Sequence, residues 1–440
     1  MTTGPDFSAL NLALISARPL SDFERSETTD LFDKSRRFLA WQDQFRQLGV
    51  LQTMYRVPLE GPLGNRIRVR DPATGSEKEL ICFDSNSYLG LHMHPRVLAA
   101  THRAIDEMGY GTPSAQLLGG TNRWLLKLEE EVAEFHDRET TLVYPSGYQA
   151  NLGIISGLMR EDDLLVVDAF SHASIHDGAR FAGCLTAHYD HNDMADLDRV
   201  LTQRPARARS ALIAADGLFS MHGDLAPLPE MRQVADRHGA RIMIDEAHAT
   251  GILGPTGRGL EEHFGLKGAV DVLMGTFSKA PGSVGGYICG DRALIEYLRY
   301  FSRPSIFTAT LPAAICAGLV EAFRVMREEP EHRERLWAAS TRMWKGLKAL
   351  KLAVGTQPSP ILTVDIGHES KQPLLAVELF SAGLKCGLAR HPAVPHGHAI
   401  IRLTMNSRHT DEDIDRTLDV LAEVAERHEL PRTVAEAVAA

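Results

Sequence analysis

One stretch of the sequence decides the fold: Val272-Leu273-Met274-Gly275-Thr276-Phe277-Ser278-Lys279. It begins with an apolar run that is typical of a buried strand, and hydroxyl groups and Lys279 follow where the strand should end. Desolvation of a lysine at such a position favours its neutral amine, which is the nucleophile that Schiff-base chemistry requires. Taken alone, the stretch is also compatible with a solvated loop lysine. The glycines that follow do not form the G-x-G-x-x-G pattern of a dinucleotide loop.

Two further stretches end in polar residues in the same way. Ile242-Met243-Ile244-Asp245-Glu246-Ala247-His248 puts an acid at the end of an apolar run, at the edge where α/β sheets bind ligands. Tyr144-Pro145-Ser146-Gly147-Tyr148-Gln149-Ala150-Asn151 is typical of a strand, a turn and a helix start, whose N–H groups can bind an anion. Alone, it is more typical of an ordinary strand-to-helix turn. The D-E-A-H string also occurs in nucleic-acid helicases, but the phosphate loop that these enzymes need is missing from this sequence.

Around these stretches, short apolar runs alternate with helical patterns. The strand candidates are Thr141–Tyr144, Leu164–Asp168, Leu212–Ala215, Arg241–Asp245, Val272–Gly275 and Gly286–Cys289. Apolar strands separated by helices predict an α/β fold with a mostly parallel sheet covered by helices. Beyond Gly355 the pattern predicts a smaller α+β domain. We therefore expect an N-terminal arm and small segment over 1–90, a large cofactor-binding domain over 91–330 and a small domain over 331–440.

The composition limits the classes of function. The chain has 440 residues, 44% of them hydrophobic and 24% charged, so it can bury a large core. A formal net charge of −10 disfavours binding to a nucleic-acid backbone, although a local site can still hold a small anion. We find no apolar run of membrane-spanning length, no secretory signal and no paired motif among the five cysteines. These features predict a cytoplasmic protein without a structural metal.

Together, the three stretches describe a site for pyridoxal 5'-phosphate (PLP). The helix start at Gly147 would hold the phosphate, and Asp245 would pair with the ring nitrogen and keep it protonated. Lys279 would bond covalently to the cofactor. Each feature is common by itself, but their order along the chain is specific.

Four more motifs accompany these three: Asn86-Ser87-Tyr88-Leu89-Gly90, Ser171-His172-Ala173-Ser174, Asp216-Gly217-Leu218-Phe219-Ser220-Met221 and Phe307-Thr308-Ala309-Thr310-Leu311-Pro312. The ordered set, from about Asp84 to Arg408, resembles the α-oxoamine synthases and looks most like their serine palmitoyltransferase-like members. These enzymes join an amino acid to an acyl thioester and release carbon dioxide. The resemblance implies the fold-type I PLP-dependent transferase fold, which has a large mostly parallel sheet and a smaller α+β C-terminal domain.

The resemblance also implies a role for each matching residue. The catalytic residues would be Lys279, His172, Asp245 and His248. His172 would stack on the cofactor ring, and His248 would approach the ring oxygen. Further cofactor contacts would come from Gly147, Tyr148, Ser220, Thr276, Ser278 and, across the interface of a homodimer, Thr308. The substrate carboxylate would be bound by Asn86, Arg402 and Arg390.

The sequence departs from the family pattern at five positions. Many members carry two histidines in G-T-H-x-x-H-x-x-L-E, near the acyl-thioester entrance, where this chain has Asn122 and Leu125. Gln116 stands where arginine is common, Asp216 replaces the usual glutamate, and His222 stands where aspartate is usual. These differences leave the acyl donor and its carrier open.

The implied reaction condenses serine, alanine or glycine with an acyl thioester to give an α-amino ketone. The stretches Ser283–Tyr287 and Arg303–Phe307 and the long segment before Asn86 favour a serine palmitoyltransferase-like enzyme that uses a long acyl chain. The alternatives are an autoinducer or secondary-metabolite synthase and 8-amino-7-oxononanoate synthase. A catalytically silent partner subunit is disfavoured, because such subunits lack the lysine found here at Lys279. The amino acid, the acyl length and the carrier, coenzyme A or an acyl carrier protein, stay open.

Overall fold

The computed structural model describes residues 20–47, 49–391, 393–394 and 397–431. The chain divides into two compact units. The smaller unit contains the described residues up to Ser85 together with those from Ala338 onwards, and the larger unit runs from Asn86 to Trp337. Among the described residues, no helix is both long and apolar enough to cross a bilayer. The cytoplasmic location stays a prediction.

The strands of the described residues are, in chain order, β1 Arg66–Arg70, β2 Glu77–Phe83, β3 Thr140–Tyr144, β4 Asp163–Asp168, β5 Leu185–Tyr189, β6 Ser210–Asp216, β7 Arg241–Asp245, β8 Val272–Thr276, β9 Gly286–Gly290, β10 Ile361–Gly367, β11 Leu384–Ala389 and β12 Ala399–Thr404. The α-helices are α1 Asp33–Gln47, α2 Leu51–Met54, α3 Pro95–Met108, α4 Arg123–Phe135, α5 Gly147–Leu158, α6 Ala173–Ala182, α7 Met194–Thr202, α8 Leu228–His238, α9 Leu260–Phe264, α10 Arg292–Phe301, α11 Arg303–Ile306, α12 Ala313–Glu328, α13 Glu331–Ala349, α14 Gln372–Ser381 and α15 Asp411–Arg427.

The larger unit is built on a seven-stranded sheet of order β3-β9-β8-β7-β6-β4-β5. Strand β9 runs antiparallel to both neighbours, and the other neighbouring pairs are parallel. Every residue of β8, and all but the first of β6 and β7, is buried. Because successive side chains of a strand point to opposite faces, this burial requires that both faces of the sheet are covered. The predicted mostly parallel sheet is confirmed.

Helix α5, which begins at Gly147, is fixed to this sheet by its packing. It packs against α6, α10, β8 and β9. Its side chains Ile154 and Ile155 are fully buried in the core of the unit, together with Ile175 and Leu298. Each fully buried aliphatic side chain of this size contributes about 1.5–3 kcal/mol through removal from water. The first turn of α5 is thereby held rigidly beside the end of β8.

The smaller unit has a five-stranded mixed sheet of order β1-β2-β11-β12-β10. Strand β2 pairs in parallel with β11, and β1 pairs antiparallel with β2. Ile67 and Val69 of β1 pack with Leu80 of β2 and with Phe380 of α14 in one apolar cluster. The sequence prediction treated 1–90 and 331–440 as separate segments, whereas strand pairing joins residues from both in a single sheet. Pairing between strands this distant in sequence leaves no local pattern that could be recognised.

Candidate active site

A cavity of about 250 Å³ lies at the carboxyl ends of the parallel strands of the larger unit. Its lining residues are Ser146, Gly147, Tyr148, Asn151, His172, Asp216, Asp245, Ala247, His248, Met274, Thr276, Ser278 and Lys279. The four predicted catalytic residues therefore converge on one cavity, with four of the predicted cofactor contacts. They come together because the carboxyl ends of parallel strands meet at one edge of a sheet.

One side of the cavity is formed by the first turn of α5 and the end of β8. Ser146 caps the helix, because its Oγ accepts a hydrogen bond from the Gln149 N–H at 3.1 Å. A Cβ atom at Gly147 would lie 3.0 Å from the Thr276 Oγ1, so only glycine leaves this space open. The Thr276 hydroxyl donates to the Gly285 carbonyl at 2.9 Å and lies 2.9 Å from the Ser278 Oγ. The N–H groups of a first helical turn together with hydroxyls form a cradle for an anion.

Another part of the cavity lining is Asp245, which is 4% exposed. Its carboxylate accepts hydrogen bonds from the Asn151 Nδ2 at 2.8 Å and from the Ala247 N–H at 2.9 Å. The same Asn151 Nδ2 lies 2.8 Å from the Ser174 Oγ, so the amide is fixed on two sides. The buried Asn151 Oδ1 has no hydrogen-bond partner in the structure. A buried carboxylate held by neutral donors is suited to a cationic ligand group.

Two histidines with fixed rings complete the cavity. His172 caps α6, since its Nδ1 accepts from the Ser174 N–H at 3.3 Å and lies 2.7 Å from the Ser174 Oγ. The ring of Tyr148 stands edge-on to His172 at 6.4 Å between centroids. The His248 Nδ1 lies 2.6 Å from the Tyr88 hydroxyl. Both imidazoles therefore have a set orientation before any ligand binds.

Asp216 is a lining residue that the sequence did not assign to the site. It stands beside Asp245 in the register of β6 and β7, and it is 3% exposed. Burial raises the pKa of Asp216 well above its usual range, and the neighbouring Asp245 adds to this effect. Asn151 was missed as well, although it lies in a quoted stretch, one helical turn beyond Gly147. A single buried polar residue in an otherwise apolar helix was the signal that could have identified it.

Five predicted site residues lie elsewhere. Ser220 lies in the turn after β6, and Thr308 follows α11. Asn86 is the first residue of the larger unit. None of these three residues lines the cavity. Arg402 lies in β12 and Arg390 follows β11, so both belong to the smaller unit. The roles expected for these five residues stay predictions.

Three departures from the family pattern have structural roles. The Asn122 Oδ1 caps α4 by accepting hydrogen bonds from the N–H groups of Trp124 at 3.0 Å and Leu125 at 3.1 Å. The Leu125 side chain is 1% exposed. The Gln116 Nε2 donates to the Val143 carbonyl at 2.7 Å. These side chains carry no charge, so they offer no ionic contact to an acyl donor.

Another cavity, of about 290 Å³, lies away from these residues. Its lining includes Arg138, Glu261, Lys267 and Asp137. Arg138 pairs with Glu261 at 2.6 Å, and Lys267 pairs with Asp137. This cavity is larger than the first. Its charges neutralise each other in pairs, so it has no comparable convergence of functional groups.

Among the described residues, one group of three side chains has metal-ligating chemistry: His94, Glu329 and His332. Both Nε2 atoms point at the Glu329 carboxylate, at 3.2 and 3.4 Å. The His94 Nδ1 accepts from the Arg96 N–H, and the Arg335 guanidinium lies 3.0 Å from the His332 Nδ1. Since both Nδ1 atoms accept, both Nε2 atoms carry hydrogen and donate to the carboxylate. The group is therefore accounted for as a hydrogen-bond network.

Comparisons with known proteins agree with this geometry. Residues 78–421 match the family of aminotransferases of class I and II. The chain is 39% identical to 4-hydroxy-2,2'-bipyrrole-5-methanol synthase PigH of a Serratia species, over 94% of this chain and 63% of that protein. It is 40% identical to 8-amino-7-oxononanoate synthase 1 of Bacillus velezensis, over 80% of this chain and 90% of that protein. The serine palmitoyltransferase of S. paucimobilis with bound PLP has a TM-score of 0.86 at 33% identity, over 91% of this chain and 99% of that chain.

The chain thus spans less than two thirds of the length of the Serratia protein, but nearly all of the other two. The cavity fits PLP, because it has an anion cradle that a Cβ at Gly147 would fill, a buried carboxylate at Asp245 and a lysine between them along the sheet edge. The expected fold and cofactor are confirmed. The chain belongs to the α-oxoamine synthases, the PLP-dependent acyltransferases that condense an amino acid with an acyl thioester.

Proposed function

We propose that this enzyme condenses serine, or another small amino acid, with a long-chain acyl thioester and releases carbon dioxide to give an α-amino ketone. The observation that carries the proposal is the convergence of Lys279, Asp245, His172 and His248 on one cavity. The likeness to a serine palmitoyltransferase over 91% of the chain supports the choice within the family.

The residues that would hold the cofactor follow from the two sides of the cavity. The first turn of α5 at Gly147, with Thr276 and Ser278, would bind the phosphate. Asp245 would bind the ring nitrogen, and Lys279 would hold the cofactor covalently. When bound, PLP stabilises negative charge at the carbon next to the amino group of a substrate.

The side chains then have distinct tasks. Asn151 and the Ala247 N–H stabilise the negative charge of Asp245. That charge would keep a proton on the ring nitrogen that Asp245 would bind. His172 limits the space on one side of the ring and excludes water there. The Lys279 amine would accept the proton from the α-carbon of the amino acid and later return one, because it is a basic group in the cavity lining that the covalent bond to the substrate would free.

The expected carboxylate contacts and the homodimer are part of the proposal. Arg402, Arg390 and Asn86 would bind the carboxylate of the amino acid. The larger unit exposes large apolar side chains, including Tyr110 at 90%, Leu118 at 82% and Phe307 at 71%. Exposed apolar groups of this size favour association, and a homodimer that covers Phe307 would bring Thr308 to a neighbouring subunit.

A second candidate function has support of its own. The match to the Serratia synthase extends over 94% of this chain, which favours a secondary-metabolite synthase with a different acyl donor. The chain covers only 63% of that protein, so the remainder of the Serratia protein has no counterpart in the match. The 8-amino-7-oxononanoate synthases are the third candidate within the family.

The experiment is a substrate matrix with two readouts, carbon dioxide release and product mass. Serine, alanine and glycine are each combined with acyl-coenzyme A of increasing chain length and with acyl carrier proteins, and Lys279→Ala is the inactive control. We expect carbon dioxide only with a long-chain donor, and with serine above the other two amino acids. Turnover confined to an acyl carrier protein would identify a protein-bound acyl donor in place of a coenzyme A ester. Absence of carbon dioxide from every combination would contradict all three.

A further inference from the structure

Three buried carboxylates stand in a row at the carboxyl edge of the larger sheet. Asp245 ends β7, Asp216 ends β6 and Asp168 ends β4, and these residues are 4%, 3% and 0% exposed. The three strands are neighbours in the sheet. Asp216 pairs with Asp245 in the strand register, whereas Asp168 aligns with the residue before Asp216, so like-charge repulsion is strongest between Asp216 and Asp245. The row therefore needs a defined pattern of protonation.

Hydrogen bonds distinguish the members of the row. Asp168 accepts from two backbone N–H groups, at 2.8 and 2.9 Å, and Asp245 also has two donors, as described above. For Asp216 the structure gives one donor, the His172 N–H at 3.1 Å. Burial and the adjacent Asp245 raise the pKa of Asp216 well above its usual range. Burial and the single donor thus favour the neutral form of Asp216.

A cation stands at the far end of the row. The Nδ1 of His191 lies 2.8 Å from the Asp168 carboxylate, and its Nε2 lies 2.6 Å from the Asp224 carboxylate. Carboxylates only accept hydrogen bonds, so both ring nitrogens must donate and the ring must be an imidazolium. Burial opposes this charge, but the hydrogen bonds that His191 donates to the two carboxylates raise its pKa to about 9.

The other neighbours of His191 bring no second positive charge. Phe170 stacks on its ring at 4.4 Å, and Phe219 stands edge-on at 4.5 Å. The ring of His222 lies 6.1 Å away and is neutral, because burial lowers the pKa of His222. Tyr189, at the end of β5, is neutral because burial raises its pKa far above 10. Among the described residues, His191 is the cation that balances this end of the row.

The row is connected to the cavity through the loop that presents His172. The Ser171 N–H donates to the Asp168 carbonyl at 3.0 Å, and the His172 N–H donates to Asp216. The loop is therefore held at both ends by members of the row. His191 itself does not line the cavity.

We propose that His191 is a positioning residue for the PLP site: its imidazolium, held between Asp168 and Asp224, fixes Asp168 and the loop that carries His172, and it places a positive charge at the end of the row of carboxyl groups that leads to Asp245. The proposal rests on the proposed role of Asp245, and it is independent of which amino acid and acyl donor are used. When His191 loses its proton, this end of the row loses its positive charge, and the electric field at the cofactor would change.

The test is a pH titration of the PLP-loaded protein, followed by its absorption spectrum and its dissociation constant for PLP. We expect a spectral step with a midpoint at about pH 9 in the natural protein, which is lost in His191→Gln. Asp224→Asn removes one of the two anions that stabilise the imidazolium but leaves the row intact. It should keep the step and move it down by about one pH unit.

A step that stays at the same pH in both variants would overturn the proposal. If His191→Gln does not fold, Asp224→Asn still decides, because a purely structural His191 predicts no movement of the midpoint. If Asp245 is not the partner of the ring nitrogen, Asp245→Asn should have the same PLP spectrum and the same affinity for PLP as the natural protein. That outcome is distinct from a failure of the His191 proposal.

The neutral state of Asp216 has a separate test. An infrared difference spectrum between the PLP-loaded natural protein and Asp216→Asn at neutral pH should show loss of the carbonyl stretch of a protonated carboxylic acid. Loss of carboxylate bands instead would mean that Asp216 is ionised, and the proposed pattern of the row would be contradicted.

Discussion

The two sides of the active-site cavity differ in their chemistry. The side formed by α5 and β8 offers backbone N–H groups, the hydroxyls of Thr276 and Ser278, and the amine of Lys279. The side formed by β7 and β6 offers the carboxyl groups of Asp245 and Asp216. PLP carries a phosphate at one end and a ring nitrogen that can be cationic at the other. The division teaches that charge, in addition to shape, would set the orientation of a cofactor bound in this cavity.

The largest effect should follow the loss of the Lys279 amine. Lys279→Ala should lower turnover by about 10³-fold or more, because a covalent group and a base are removed together. The matched control is Lys267→Ala, a surface lysine that is 82% exposed and should change turnover little. Steady-state carbon dioxide release measures both. Turnover in Lys279→Ala near that of the control would contradict the assignment.

The carboxylate side should be next in magnitude. Asp245→Asn removes the charge but keeps the shape, and loss of one partner of a buried charge pair costs about 3–5 kcal/mol. That corresponds to a decrease in kcat of about 150- to 5,000-fold. Asp198→Asn, at a surface aspartate that pairs with Arg237, is the control. Equal kcat values for the two variants would show that the cofactor does not need this charge.

A substitution in the part of the cavity that would bind the phosphate should weaken the binding of PLP. A Cβ at position 147 would lie 3.0 Å from Thr276 and 3.1 Å from the Met274 Cε, so Gly147→Ala crowds the anion cradle. Overpacking of this kind costs about 1–3 kcal/mol, which predicts a Kd for PLP that is roughly 5- to 150-fold higher. Gly111→Ala is the control, since a Cβ there meets nothing within 4 Å. An unchanged Kd for PLP in Gly147→Ala would place the phosphate elsewhere.

The smallest effect on turnover concerns a carboxylate that does not line the cavity and acts on stability instead. Glu246 follows Asp245 but is 1% exposed, and its Oε1 accepts from the Leu260 N–H at 2.9 Å. Burial raises the pKa of Glu246 from 4.5 to about 8. Between these pH values the unfolded chain loses the proton and the folded chain keeps it, so stability falls as pH rises, by about 1.4 kcal/mol per pH unit.

Glu246→Gln should remove this part of the pH dependence. The Tm of Glu246→Gln should therefore rise relative to the Tm of the natural protein as the pH increases from 4.5 to about 8. Turnover should change little. A difference in Tm between the two proteins that is independent of pH would show that Glu246 has an ordinary pKa in the folded state.

Much of the larger unit could be predicted from local patterns. The strand predicted at Arg241–Asp245 has the same bounds as β7, because a fully buried strand appears in the sequence as a continuous apolar run. Strand β5, Leu185–Tyr189, was missed, since as an edge strand it is only half buried and contains Thr186 and His188. The convergence of Asp245 and Lys279 could be predicted because both follow parallel strands.

Contacts between distant segments could not be predicted in this way. Asn151 holds Asp245 across 94 residues of sequence, and His191 meets Asp168 across 23. Each of these residues is unremarkable in its own segment, and only the packing of α5 and of the loop after β5 on the sheet brings the partners together. The same reason explains why the pairing of β2 with β11 could not be foreseen.

The most direct test of the central claim, that this cavity binds PLP through Lys279, is chemical. The purified protein is loaded with PLP and reduced with borohydride, and its peptides are analysed by mass spectrometry. The account predicts one pyridoxyl group per chain, on the peptide that contains Lys279, and none in Lys279→Ala. A pyridoxyl group on another lysine, or no adduct after loading, would contradict it.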